Sequence, residues 1–352
     1  MSLDDHGPLE RRRLLGPLLK NVSRSFYLTL SVLPAGLREP VGLAYLLARA
    51  ADTIADTSLV APERRLELLL AFRAQVNGPC DEGKIREIEA ALTEHQKDSH
   101  ERALLQSLVP ALALLQQLPG ADRGEVSAVV TTLTRGMEMD LTTFPLETSG
   151  TIVALRNAEE LDRYVYLVAG CVGEFWTKIA KAHTPALRDW DVDAMSACGV
   201  RFGKALQMTN VLRDCPKDLR LGRCYLPRNM LAAACLSPEA LLDPANSAKA
   251  RPVLVDLLRV AVGHYAEAQA YILAIPRSCC RLRLACLWPV LIGLPTLRLV
   301  AENDTWLDPE RHVMVPTSYV KRTLALSVPV VCSNTVLKRW IGSWMAALKS
   351  AL

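Results

Sequence analysis

Along most of this chain apolar residues return every three or four positions, the period of a helix with one side turned to a core. Residues 8–20 read as a first amphipathic helix. Ser23 and Ser25 follow in a turn-like segment before Phe26, and Pro34 and Pro40 fence a loop. The helix after Pro40 carries Tyr45, Arg49, Asp52 and Asp56. Helices are predicted over 62–76, opened by Pro62, and over 101–118, kinked at Pro110. Between them Gly78 to Ser99 is polar and expected to be exposed, with His95 and His100 facing solvent. Asp122 to Asp140 is helical and 141–154 is loop-like. Asn157 or Glu159 then starts a long helix through Tyr164, Gly170 and Gly173, followed by His183 as a C-terminal dipole partner. Residues 201–214 are helical again, with Leu206, Val211 and Leu212 toward a core and Gln207, Asn210 and Asp214 on another face. Short helices after Pro227 lead to a long one over 251–273, whose His264 has no catalytic companion in the sequence. An amphipathic segment covers 338–352.

Half of the 352 residues are hydrophobic and few are aromatic, with Leu and Ala dominant, which favours a large all-α core. No repeated unit, low-complexity run or Gly/Ser linker divides the chain, so one domain over 1–352 is expected, acting as a monomer. A formal charge of +4 on this length predicts no nucleic-acid footprint. Arg11 to Arg13 form a short basic cluster, read as a solvated helix end. Asp4, Asp5 and Glu10 interrupt any secretory signal. No stretch reaches the ~18 apolar residues of a spanning helix, because Pro289 and Pro295 interrupt the nearest one, Leu284 to Leu297. Ten cysteines lie outside any metal-ligand spacing, and those in apolar context (Cys171, Cys198, Cys286) read as reduced core residues. The cytoplasm, or the periphery of a membrane, is the expected location.

Two acidic pairs change this bland picture. Asp214 and Asp218 stand four residues apart in GKALQMTNVLRDCPKDLRLGRCYLP, so on a continuous helix one carboxylate lies a turn above the other. Stacked carboxylates repel unless a cation sits between them. Oxygen donors with no His or Cys nearby favour a hard cation, typically Mg²⁺ held partly by water and a substrate phosphate. Arg213 and Arg223 bracket the pair and can grip phosphate oxygens. Upstream, LAYLLARAADTIAD repeats the arrangement with Asp52 and Asp56, Arg49 three residues earlier and Tyr45 a turn before that. Acidic pairs at helical spacing are usually a solvated face, but neither stretch is polar enough for one.

The two stretches ARAADTIADT and LQMTNVLRDCPKD…GRCYLP resemble the two aspartate-rich motifs of the squalene/phytoene synthase family, the head-to-head prenyl transferases. Asn21-Val-Ser-Arg-Ser-Phe resembles the family's VSRSF entry motif, Gly136-Met-Glu-Met-Asp-Leu its GMxxDL, and Tyr164-Val-Tyr-Leu-Val-Ala-Gly-Cys-Val-Gly its Y-C-x-Y-V-A-G-x-V-G helix. The likeness runs from about residue 17 to about 300, with a helical extension over about 316–352. It implies an all-α, single-domain bundle of the isoprenoid-synthase type around a central apolar cavity. It implies that Asp52, Asp56, Asn210, Asp214 and Asp218 hold Mg²⁺, or Mn²⁺ in its place, with the four aspartates and Tyr164 catalytic. Substrate contacts would come from Ser23, Arg24, Ser25, Phe26, Tyr45, Arg49, Val168, Gly173, Gln207, Arg213, Arg223 and Pro289. The glycines around Gly173 would then clear room for a long apolar substrate.

Within the family, Ala285-Cys-Leu-Trp-Pro resembles a segment of the squalene synthases, with Cys286, Pro289 and Thr296-Leu297 in register. This implies two farnesyl diphosphates as substrate, presqualene diphosphate as intermediate and NADPH as reductant, with Lys321 and Arg322 as candidates to bind it. The apolar product would leave at a membrane surface. The alternative is a phytoene or dehydrosqualene synthase without NADPH, and a non-catalytic assembly factor is a third possibility. Departures are visible: Lys217 stands where an acidic residue is common, Pro216 is expected to disturb the helix between the carboxylates, and Ala285 replaces a frequent Phe. No GxGxxG is present, so nicotinamide binding of the Rossmann kind is not expected.

Overall fold

The computed structural model describes residues 7–23, 26–144, 149–311 and 313–352. It is all-α, with two-residue strands as its only extended pairing among the described residues. Its contacts gather into two compact units, Met1–Leu141 with Phe175–Arg188, and Thr142–Glu174 with Asp189–Leu352.

The first unit is built on the helix Ala35–Asp56. Leu43, Leu46, Leu47, Ala50, Ala51 and Ile54 on it are fully buried, against helices Leu19–Ser23, Pro62–Asn77, Ser99–Leu105 and Leu108–Gln117. The helix starts at Ala35 rather than after Pro40, because burying Leu37 and Pro40 outweighs the one backbone hydrogen bond that a proline removes. The predicted helix 101–118 is two helices. The break at Gln106–Ser107 precedes Pro110, which has no N–H to offer the Gln106 carbonyl. The stretch expected to be exposed between 78 and 99 contains a further helix, Glu82–Thr93. Asp81 caps it through the amides of Gly83 and Lys84, and Ile85, Ile88 and Leu92 are buried at helical spacing. His95 and His100 are exposed, as expected. Around Pro17 the first helix widens into one π-helical turn, Leu14–Leu18.

In the second unit the helix Val192–Arg220 runs unbroken through Pro216, so the expected disturbance between Asp214 and Asp218 does not occur. It packs on helices Ser247–Ala274 and Cys280–Ala301 and on the π-helical turn Tyr166–Gly170. At its end Gly222 takes φ +77°, a conformation that suits glycine. This turns the chain into the strand Arg223–Cys224, which pairs in parallel with Val153–Ala154.

The helix Cys280–Ala301 is also continuous, through both Pro289 and Pro295. By length and composition it could cross a membrane, contrary to the sequence expectation, but 72% of its apolar window is buried within the fold, as in a core helix. The helix Thr317–Val330 is inverted. Thr323 and Ser327 are its buried residues, with Ser327 accepting from Trp288 Nε1 at 2.9 Å. Leu326 and Val328 face outward, each 54% exposed.

Candidate functional site

Each acidic pair lies within its own unit. On the first, Asp52 and Asp56 occupy the last turn of the helix Ala35–Asp56. Arg49 grips Asp52 Oδ2 through Nη1 and Glu101 Oε1 through Nη2. Burial, then the charge of Asp56, push Asp52 up to about 6 against the pull of Arg49. The Asp52 side chain still keeps 38% of its surface, so it remains reachable from solvent. Arg65, buried on the next helix, donates Nη1 to the Ala55 carbonyl at 2.8 Å and steadies this helix end. Tyr45 stacks on Phe26 with ring centroids 5.1 Å apart, and its hydroxyl reaches the Val22 carbonyl at 3.5 Å. Ser23 is buried, its hydroxyl donating to the Leu19 carbonyl of its own helix. Arg24 and Ser25 lie outside the described residues.

On the second unit Arg213 forks onto its neighbour Asp214, Nε to Oδ1 at 2.8 Å, with Nη2 on Oδ2. Asp218, one turn later, is pushed up to about 7, first by burial and then by Asp214, with Arg223, Lys217 and Arg213 opposing. Two carboxylates four apart on a half-buried helix face cannot both ionise freely without a cation. Asn210 donates Nδ2 to Gln207 Oε1 at 3.3 Å, so these two side chains share one rim. Lys217 opens with Arg213 and Arg311 on a recess of about 20 Å³, room for one water. Among the described residues no three His, Cys, Asp or Glu side chains gather into a cage. With two carboxylates in each pair, a cation held there would take its remaining ligands from water and an anion.

Tyr164 is buried and stacks on Tyr225, centroids 4.6 Å apart and planes at 24°, and Phe144 meets Tyr225 edge-on at 5.1 Å. Val168 lies in the π-helical turn just beyond. The glycines correct the sequence reading. A Cβ at Gly173 would stand 1.8 Å from the Gly199 carbonyl oxygen, and one at Gly203 would stand 2.2 Å from that of Ala169. These glycines let two helix backbones touch; they do not clear space for a ligand. Pro289 is half-buried on the helix Cys280–Ala301, while Lys321 and Arg322 are exposed on Thr317–Val330.

Two residues escaped the sequence reading. Tyr225 sits in GRCYLP and could have been noticed as the aromatic of that stretch. Glu101 carries no sequence signal, because only folding brings it to Arg49. Other charged groups are satisfied structurally. His183 places Nε2 2.9 Å from both oxygens of buried Asp122, Glu138 pairs with Arg73, and His264 accepts from Arg201 Nε at 2.6 Å.

The family model described as squalene/phytoene synthase matches residues 19–318. A squalene synthase of Eremothecium gossypii is 26% identical over 308 residues, covering 87% of this chain and 65% of that protein's own length. A presqualene diphosphate synthase of Zymomonas mobilis is 30% identical over 264 residues, 73% of this chain and 74% of that protein. Among solved structures, TcSQS in complex with the ligand BPH1237 superimposes with a TM-score of 0.78 at 21% identity, covering 97% of this chain and 92% of the other. At that identity the likeness speaks for the fold.

Proposed function

The chain belongs to the squalene/phytoene synthase family, and on that premise we propose that it joins two farnesyl diphosphates head to head to presqualene diphosphate and reduces this to squalene with NADPH. The family acts on prenyl diphosphates. The observation that carries the first step is the duplicated site: two carboxylate pairs, one member of each pushed up toward neutrality, each with an arginine ion-paired to one of its carboxylates. Asp52, Asp56, Asp214 and Asp218, with Asn210, would hold Mg²⁺ or Mn²⁺. When bound, the cation neutralises a diphosphate and makes it a leaving group. Arg49, Arg213 and Arg223 orient the diphosphate oxygens; Arg213, already forked on Asp214, can turn the same fork to phosphate. The stacked rings of Tyr164 and Tyr225 offer their faces to cationic carbon. Tyr164 is the candidate to hold or pass a proton beside it.

The reduction is the finer part of this reading. Lys321 and Arg322 are cations that a nicotinamide phosphate could meet, but both stand exposed on the helix Thr317–Val330. That favours a second reading in which the chain stops at presqualene diphosphate, the product named for the Zymomonas relative. Loss of a proton to give dehydrosqualene, or phytoene from the longer substrate, is the related outcome. An assembly role without catalysis fits less well, since both aspartate pairs and Arg49, Arg213 and Arg223 are all in place. The outward Leu326 and Val328, beside Lys321 and Arg322, suit a peripheral position where an apolar product can leave.

Incubation with farnesyl diphosphate and Mg²⁺ tests the first step, and adding NADPH tests the second. Presqualene diphosphate that converts to squalene on adding NADPH supports the full reading. The Lys321→Ala/Arg322→Ala double variant should then weaken NADPH use and leave the first step intact. Presqualene diphosphate that persists with NADPH supports the second reading. No turnover of any prenyl diphosphate would overturn both.

A further inference from the structure

Four of the ten cysteines, Cys171, Cys215, Cys224 and Cys286, are buried. Burial pushes the first three up, which keeps those thiols protonated and inert. Cys280 and Cys332 differ. Their Sγ atoms stand 2.9 Å apart although 52 positions separate them, and Cys332 is exposed while Cys280 is half-exposed. The separation is roughly 0.9 Å longer than an S–S bond, a gap that side-chain rotation can close.

Positive groups stand near the pair, although the contact with Cys332 and then burial push the Cys280 thiol up. Cys280 is the first residue of the 22-residue helix Cys280–Ala301, where unpaired amides and the helix dipole attract negative charge. Arg283, one turn later, is fully buried. It donates Nη1 to the Ile275 carbonyl at 2.8 Å and Nη2 to Asn334 Oδ1 at 2.6 Å. Its Nε is buried with no hydrogen-bond partner among the described residues. Its charge interacts favourably with Cys332, Cys280 and Cys279. Two reachable sulfurs this close, beside a buried guanidinium, form a dithiol that nothing in the proposed prenyl chemistry calls for.

We propose that Cys280 and Cys332 form a redox-sensitive dithiol, oxidised by hydroperoxides to a disulfide that fastens the two C-terminal helices to the start of helix Cys280–Ala301. The exposed Cys332 thiolate attacks one peroxide oxygen, the O–O bond breaks, and hydroxide leaves to be protonated to water. The Cys280 thiol then attacks the resulting sulfenic sulfur, loses its proton and expels a second water. Two thiols and one H₂O₂ thus become one disulfide and two waters, and an external dithiol reverses the change. Cys332 lies in the turn between helices Thr317–Val330 and Asn334–Ser350, so the bond closes a loop that contains the whole inverted helix. A cross-link over that span restricts the unfolded chain and stabilises the fold.

The test uses the purified full chain, reduced and then exposed to H₂O₂ alone. Expected are a Cys280–Cys332 cross-linked peptide in non-reducing mass mapping and the loss of two maleimide-reactive thiols. Dithiothreitol should restore both thiols, and the oxidised form should melt several degrees higher. Cys332→Ser and Cys280→Ser should each abolish the cross-link and the shift, while Cys279→Ser should preserve both. An unchanged thiol count in the wild-type protein, a cross-link that maps to Cys279, or sulfinic acid in place of a disulfide would overturn the proposal. The wild-type measurement stands even where a variant folds poorly, and none of these outcomes depends on prenyl turnover.

Discussion

Tyr164 and Tyr225 lie stacked, 4.6 Å between ring centroids, although 61 positions separate them. Tyr225 follows the strand Arg223–Cys224, whose pairing with Val153–Ala154 brings it back beside the helix Ala158–Val165 that carries Tyr164. If the two rings act together on cationic carbon, Tyr225→Leu should lower kcat by at least tenfold and leave KM for the diphosphate nearly unchanged. Tyr164→Phe should spare stability and separate the hydroxyl's part from that of the ring. Steady-state kinetics with both variants would show the split; an unaltered kcat in Tyr225→Leu would remove that residue from the chemistry.

Metal affinity should rise with pH. Asp218 is pushed up to about 7 and Asp52 to about 6, so protons compete with a cation for both below neutrality. Calorimetric titration with Mg²⁺ and inorganic diphosphate should show binding strengthening between about pH 5 and pH 8. Asp218→Asn should abolish that binding yet stabilise the metal-free protein above pH 7. The sign follows from linkage: a raised carboxylate contributes stability below the unfolded value, which is lost as pH climbs through the folded one. Removing this buried charge, which also stands beside Asp214, should be worth on the order of 1 kcal/mol after screening.

His264 predicts the opposite dependence. Burial, Arg201 and Lys204 hold it down to about 4, so it stays neutral and accepts from Arg201 Nε. The unfolded chain takes up its proton near 6.5, hence this contribution is present above about 6.5 and fades as pH falls toward 4. It amounts to roughly 2–3 kcal/mol. Denaturant titrations of wild type and His264→Gln at pH 7 and pH 4.5 should converge at the lower value. A constant gap between them would refute the assignment.

Gly173→Ala should be poorly tolerated. Its Cβ would overlap the Gly199 carbonyl oxygen at 1.8 Å, and neither helix backbone can move without parting the other. A loss of about 1–3 kcal/mol is expected, read as a lower denaturation midpoint. Gly342→Ala serves as control, because nothing lies within 4 Å of its added carbon.

Glu101→Gln should loosen Arg49 without unfolding the first unit. Glu101 keeps only 16% of its side-chain surface, yet the amide can still accept from Arg49. Diphosphate KM should move several-fold while the melting temperature stays within a few degrees. A large stability loss with unchanged KM would make Glu101 a packing residue alone.

The sequence by itself determined the helical architecture and the identity of both acidic pairs. Helical period follows from local geometry, and two carboxylates four residues apart share a helix face whatever surrounds them. It misjudged the prolines, because a proline removes one hydrogen bond whereas burial of a whole apolar face decides whether the helix continues; Pro40, Pro216, Pro289 and Pro295 all sit inside helices. It also missed Glu82–Thr93, where three buried apolar residues sufficed within a charged stretch. Only the tertiary structure decided which residue answers which. Glu101 on Arg49, Tyr225 on Tyr164, Gly199 under Gly173 and Cys332 beside Cys280 are meetings of segments distant in the chain. No local pattern encodes them, since each depends on how whole helices pack and where the turns between them end.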